Sequence, residues 1–515
     1  MKKSLLLILA VLILIPLGVV SAQNGETLVV ALGSDSLTFD PLNYDEEVTN
    51  EVNLHIFETL VFNDTDLNSV PALAESWEQI EDTVWRFYLR QGVKFSNGND
   101  FNADDVVYTI TRAKTWEQSQ YKGDTSAIKE AVKVDDYTVD LVTNFAYSIL
   151  PANLKSLMMM DKESSENADP KDLAENPVGT GKYILVDYVR EDHIDLVANP
   201  NYWGEKPEIQ SVRFRPITNP ATRTAALLSG EVDLAVDISS RDVEKVNSSN
   251  VATILQAPAL RIIYLNIDGW SDQNKGVEPQ DAFKDVRVRQ AIYHAIDEET
   301  IIKNVMNGNA YIATGPIPTG YNGSASGVER YPYDPEKAMA LLKEAGMENK
   351  ITVTLDSPND RYVNDGQIAE AVAGYLEKVG ITVNLNLQPK SLFFDYVAVD
   401  KYNTSLSLGG WYDGTGEGAI ILKSMFYSFG KKAGYGTGNR GHFSNEKFDE
   451  LIDEALVTVD AEARAKLVEE AAVILNNEVG FIPLHYQQDI YGVNNRVTFE
   501  PMRNKHIYAW RFSFK

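Results

Sequence analysis

Cysteine is absent from the 515-residue chain. That excludes disulfides, thiolate metal centres, cysteine nucleophiles and a lipid-modified N-terminal cysteine. Histidine is scarce. His55, His193, His294, His442, His485 and His506 stand apart, with no two at metal-ligand spacing, so each reads as structural or exposed and no metal site is expected. Positive charge is also in deficit: 47 Lys and Arg face 74 Asp and Glu, a formal net charge of -27. Such a chain repels phosphate backbones, which excludes nucleic acid as a partner, and the acidity is read as serving solubility. There is no Gly-x-Ser-x-Gly elbow and no Walker A loop. Gly436-Thr437-Gly438-Asn439-Arg440-Gly441 matches G-x-G-x-x-G, but no buried strand precedes it and His442-Phe443-Ser444 is not a helix opening. It reads as a glycine-rich loop.

Past residue 20 no long apolar run remains, so the mature chain is expected not to be membrane-embedded. Before it, Lys2 and Lys3, the apolar run Leu5 to Val20 and the small residues of Val20-Ser21-Ala22 compose a secretory signal. The run is shorter than the roughly 20 residues a span needs, so cleavage is expected, with the mature chain starting near Gln23. A soluble periplasmic protein is the expectation. Length argues for more than one domain, because single cores rarely grow past about 250–300 residues.

The pattern is mixed α/β. Thr27 to Leu32 is a continuous apolar run, as in a strand buried on both faces. Trp85, Phe87 and Leu89 alternate with Arg86, Tyr88 and Arg90, a half-buried strand. Val132-Lys133-Val134 and Tyr137 to Val142 flank Asp135-Asp136, a hairpin. Asn219-Pro220 and Asp334-Pro335 open helices that Gly230 and Gly346 close. Ile351, Val353 and Leu355 alternate as a strand; Ile368, Val372, Tyr375 and Val379 follow at helical spacing; Ile381, Val383, Leu385 and Leu387 alternate again. This is a βαβ unit. Asp460 caps a further helix, and Phe481 to Tyr486 reads as a strand. The paired acids Asp104-Asp105 and Asp135-Asp136 suit a first helical turn and a hairpin turn, so neither needs a catalytic role. No catalytic residue and no cofactor is expected. A secreted hydrolase using two carboxylates distant in sequence is the rival from another class.

Pro71-Ala72-Leu73-Ala74-Glu75-Ser76-Trp77 and Trp85-Arg86-Phe87-Tyr88-Leu89-Arg90-Gln91-Gly92-Val93-Lys94-Phe95 resemble the signature of the dipeptide- and oligopeptide-binding proteins of ABC transporters. The pattern continues through Asn97-Gly98, Phe101, Ala103-Asp104-Asp105-Val106 and Arg112. Asn176-Pro177-Val178-Gly179-Thr180-Gly181-Lys182-Tyr183, Asn199-Pro200-Asn201-Tyr202-Trp203-Gly204, Phe283 to Ile292, Ala295-Ile296-Asp297 and Gly315-Pro316-Ile317-Pro318 agree with it. The resemblance implies an α/β, two-lobed, hinged periplasmic-binding-protein-like fold with an extra inserted domain. Residues 23–62, 178–267 and 481–515 would form the first lobe, 63–177 the insert and 268–480 the second lobe. It also implies a monomer that closes over its ligand and docks on a membrane permease.

In the peptide binders an acid after a Gly-Trp pair grips the α-amino group. Here Gly410-Trp411 is followed by Tyr412, Asp413 and Gly414, with Asp413 one position early and Glu417 a second candidate. The bland alternative is that Asp413-Gly414 makes a turn. Dipeptide binders hold the carboxylate with an arginine near a second-lobe helix start; this chain has Asp365-Gly366-Gln367 there, with Arg361 earlier. That favours longer peptides, held by main-chain pairing. Asp45-Glu46-Glu47 occupies the segment that pairs with peptide in oligopeptide binders, which makes Asp45 and Glu47 candidates as well. The expected ligand is a peptide, with an oligosaccharide as the alternative because Trp411, Tyr412 and nearby carboxylates also suit a sugar ring.

Overall fold

The computed structural model describes residues 26–515 except 274, 325–326 and 433. The expected signal, residues 1–22, lies outside the described residues.

The fold is mixed α/β, as the sequence pattern requires. Strand Thr27–Leu32 lies parallel to both Ser211–Pro216 and Leu234–Ala235, and Leu28, Val30 and Ala31 are fully buried between them. Helix Pro220–Ser229 begins where the Asn219 side chain accepts from the Thr222 N–H at 3.1 Å, and ends at Gly230 with φ 79°. Helix Pro335–Glu344 starts in the same way, with Asp334 accepting from the Lys337 N–H. The βαβ unit is present as Thr352–Pro358, Asp365–Lys378 and Thr382–Gln388. Its strands are parallel, with Val353 opposite Val383 and Leu355 opposite Leu385.

One twelve-stranded sheet runs through the molecule. One half of it contains Val277–Glu278, Thr352–Pro358 and Leu406–Trp411; the other contains Leu234–Ala235, Thr27–Leu32, Ser211–Pro216, His193–Ala198 and Tyr183–Val189. Between them lie two long antiparallel strands, Ala252–Ile267 and Phe481–Asn494, which serve both halves. Residues 252–258 pair with 488–494, and residues 262–267 pair with 481–486; the register shifts between Pro258 and Ile262 and again at Ile263. Such irregularities re-aim a strand, so the two halves meet at a bend in their shared strands.

A separate four-stranded antiparallel sheet, in the order Ala74–Glu81, Val84–Leu89, Thr138–Thr143, Ile128–Asp135, packs with helix Ala103–Thr115. Phe87 and Leu89 are buried there, and fully burying such side chains is worth about 1.5–3 kcal/mol each. Asp104 and Asp105 lie in the first turn of that helix, where Asn102 and Asp105 form a capping box. This unit touches helix Glu446–Val457, where the Ser148 N–H donates to the Leu456 carbonyl at 2.8 Å. Gly179 shows why the segment back from it needs glycine. A Cβ there would lie 2.0 Å from the Ile56 carbonyl oxygen at the end of helix Glu47–Ile56.

Arg112 on the packed helix forks onto Asp40, at 2.9 and 2.5 Å, and Asp40 is 1% exposed. Arg112→Met strands that carboxylate in the interior. The expected loss is about 3–5 kcal/mol in urea unfolding, and the double replacement Asp40→Leu/Arg112→Met should cost less than the single one. Equal losses would show that the Asp40 charge is not what the arginine serves.

Candidate functional site

Strand Leu406–Trp411 pairs along its length with Ile262–Ile267, placing Gly410 opposite Ile263 and Gly409 opposite Tyr264. On its other side Thr352–Pro358 reaches only Leu406 and Ser407. Leu408 to Trp411 therefore form a strand edge with no strand beyond it among the described residues. The glycines make room for two rings. A Cβ on Gly409 would stand 2.9 Å from Tyr264 Cζ, and one on Gly410 would stand 2.6 Å from Tyr362 Cε1. The Tyr362 hydroxyl donates to the Gly410 carbonyl at 3.2 Å. Trp411 is half-buried, and its indole N–H is buried without an acceptor among the described residues.

Beyond Trp411 the chain turns into the loop that carries the candidate acids. The Tyr412 hydroxyl donates to the Asn504 carbonyl at 2.7 Å. Asp413 accepts the Thr415 N–H at 2.9 Å, its backbone carbonyl accepts the Tyr321 hydroxyl, and burial raises its pKa. It faces Asp124 from the four-stranded unit, and Asp45 approaches Asp124 as well. Burial first, then Asp45 and Asp413, push Asp124 up to about 7. Three carboxylates from three parts of the fold thus converge, with the amino group of Lys423 as their nearby counter-charge. Asp45 and Asp413 were candidates from the sequence; Asp124 carried no motif.

The other two candidate acids already hold partners. Glu417 receives a fork from Arg464 at 2.8 and 3.1 Å, with side chains 14% and 7% exposed. Glu47 holds Lys505 at 2.6 Å, where Asp237 at 3.2 Å and Asp489 at 4.0 Å join it. Burial opposes the Lys505 charge, but the three carboxylates hold its pKa above the ordinary value. Asp489 is pushed by burial up to about 7. Arg261 lies close to this group, with its guanidinium 5.7 Å from the Tyr412 ring.

Sequence reasoning passed over Arg261, Tyr362, Arg440, Asp489 and Lys505. A signal existed for two of them. Arg261 interrupts the apolar run Ala259-Leu260-Arg261-Ile262-Ile263, and Asp489 interrupts Ile482 to Val493. Both interruptions fall near the bend in the crossing strands.

At the far end of the loop a groove of about 790 Å³ opens among Trp77, Lys155, Asn322, Gly416 and Arg464. Its cations are engaged: Arg464 with Glu417, and Lys155 with the Leu67 and Thr415 carbonyls at 2.7 and 2.8 Å. Burial lowers Lys155 to about 8. Elsewhere, Asp187, His193 and Asp195 bring possible ligand atoms within 4.8 Å of one another, but Arg213 takes both Asp195 oxygens at 2.7 and 2.6 Å.

The profile of the bacterial extracellular solute-binding proteins, family 5 Middle, matches residues 68–433. The chain belongs to that family. The motifs between Pro71 and Pro318 all fall inside the matched span. This family 5 protein is 28% identical to heme-binding protein A of Haemophilus influenzae, over 92% of this chain and 90% of that one. It is 28% identical to the dipeptide-binding protein of Escherichia coli, over 98% and 96%. The solved structure of HbpA2 from Haemophilus parasuis superposes with a TM-score of 0.83 at 25% identity, covering 95% of this chain and all of that one. The first two are named as binding proteins. No helix among the described residues is long and apolar enough to cross a membrane.

Two outcomes are expected of the acids in this family 5 protein. Glu417→Gln leaves Arg464 buried with half its partner, and should lower urea stability by about 3–5 kcal/mol. Asp124 behaves oppositely. Its folded pKa is raised, so its contribution to stability is fully present below its ordinary 3.8 and is lost as pH rises through about 7. Asp124→Asn should therefore stabilise the ligand-free protein at about pH 8 relative to wild type, with the gap closing toward about pH 4. A gap independent of pH would place the effect in packing.

Proposed function

We propose that this solute-binding protein captures a peptide at the edge of Leu408 to Trp411, between the two halves of its sheet, and delivers it to an ABC-transporter permease. The observation that carries the reading is the edge itself. It offers main-chain groups at two positions without side chains, with the acids Asp413, Asp124 and Asp45 past one end and arginines beside it. An extended peptide has the matching features: a hydrogen-bonding main chain, an ammonium at one end and a carboxylate at the other. The E. coli relative is named for dipeptides, which supports the same class of ligand.

In this reading the first lobe, the insert and the second lobe are the residue ranges implied by the family resemblance. The bend in the crossing strands serves as the hinge, and closure brings Glu47, Asp237 and Lys505 toward Trp411 and Tyr362. The protein acts as a monomer in the periplasm after removal of residues 1–22. It works by binding and release rather than turnover, without metal or cofactor.

Titration calorimetry with free and N-acetylated tripeptides tests the ligand. The free peptide should bind about tenfold or more tightly than the acetylated one, because removing one partner of a buried charge pair costs about 2–5 kcal/mol. A cationic ligand favours ionised Asp124, so affinity for the free peptide should fall as pH drops below about 7. Binding of cello-oligosaccharides with no peptide bound would overturn the reading. Small-angle scattering should show a smaller radius of gyration on saturation, and an unchanged radius would argue for a rigid site.

A further inference from the structure

The glycine-rich loop Gly436 to Gly441 has no part in the peptide reading so far, yet it is built with care. Gly436 sits at φ 63°, where a Cβ would lie 2.1 Å from the Tyr427 carbonyl oxygen. Asn439 is buried; its amide donates to the Tyr427 and Phe443 carbonyls at 3.0 and 2.8 Å, and its oxygen accepts the Phe443 N–H at 3.0 Å. His442 clamps the other side, with its ring nitrogens 2.7 Å from Asp268 and 2.8 Å from the Val399 carbonyl. Between these two anchors stands Arg440. The loop thus presents one guanidinium in a fixed place.

That guanidinium has no carboxylate partner among the described residues. Its Nε is buried with no acceptor, and its carbon lies 5.6 Å from the Phe394 ring. Beside it stands the hydroxyl of fully buried Tyr264, on which this guanidinium acts. The Arg361 guanidinium lies 5.3 Å from the Tyr362 ring, Arg261 and Arg440 act with it on that phenol, and none of the three is ion-paired among the described residues. Asp237 and Asp489 reach Arg261 only at longer range. In a chain with a large excess of acids, three cations left without an ion pair around one phenol are a placement that folding alone does not require. A buried guanidinium nitrogen without an acceptor costs free energy until one is supplied. A peptide's terminal carboxylate balances one of these charges and leaves the others.

We propose that Arg440, with Arg261 and Arg361, forms an anion subsite that selects ligands carrying a carboxylate in addition to the terminal one, so that the preferred ligand is an acidic peptide. This rests on the peptide reading. Arginine suits the task because its planar fork meets a carboxylate with two parallel hydrogen bonds.

The test is calorimetry with the near-isosteric peptides Ala-Glu-Ala and Ala-Gln-Ala. Wild type should bind the first about tenfold more tightly, as a desolvated charge pair requires, with the gap narrowing as salt is added. Arg440→Gln and, separately, Arg261→Gln should each shrink that preference, with affinity for Ala-Glu-Ala falling by more than affinity for Ala-Gln-Ala. A loss of fold would weaken both peptides alike, and Arg440→Lys should restore only part of the preference. Equal wild-type affinities, or a preference unmoved in both glutamine variants, overturn the subsite and leave the peptide reading standing. If neither tripeptide binds but glutarate raises the melting temperature of wild type and not of Arg440→Gln, the anion subsite stands and the peptide reading falls. If none of the three ligands binds, both fall.

Discussion

Two antiparallel strands, Ala252–Ile267 and Phe481–Asn494, carry the sheet from one half of the molecule to the other, and the arrangement of the site follows from that constraint. A connection of two strands is narrow. Its register shifts between Pro258 and Ile262, and such irregularities re-aim a strand. Residues near the bend cannot be covered by a continuous layer of helices. Polar and charged side chains are tolerated there, and Arg261 and Asp489 occupy those places.

The same constraint shapes the strand edge. Strand Leu406–Trp411 follows one crossing strand to Ile262, while its outer neighbour stops at Ser407. Past that point the edge carries glycines against which Tyr264 and Tyr362 pack closely. An exposed edge is an aggregation hazard in most sheets. Here it is recessed, short and flanked by charge of both signs, which suits a main-chain ligand and discourages a second sheet.

Electrostatics divides the surroundings of that edge into engaged and open groups. Glu417 with Arg464, and Asp40 with Arg112, are buried forks that hold parts of the fold together. The junction of Asp45, Asp124 and Asp413 and the arginines around Tyr362 are unbalanced by comparison. Like charge gathered in this way costs stability where it is buried, as at Asp124 and Asp413, and it persists where a ligand offsets it.

Much of the fold was legible because it is local. Asn219, Asp334 and Asp460 cap their helices through bonds spanning a few residues, so the punctuation alone marks them. Trp85, Phe87 and Leu89 face a core because strand side chains alternate. Phe481 to Tyr486 read correctly as a strand but stopped short of Asn494, because Gln487-Gln488-Asp489 breaks the apolar pattern where the strand passes the bend. The sequence by itself determined the elements, their caps and the family, all of which depend on neighbours in the chain or on long motifs. Only the tertiary structure decided that Glu417 is held by Arg464, that Glu47 belongs to Lys505, and that Asp124 meets Asp45 and Asp413. Ion pairs between distant segments have no period and no spacing, so the partner of a charge is settled only when the chain has folded around it.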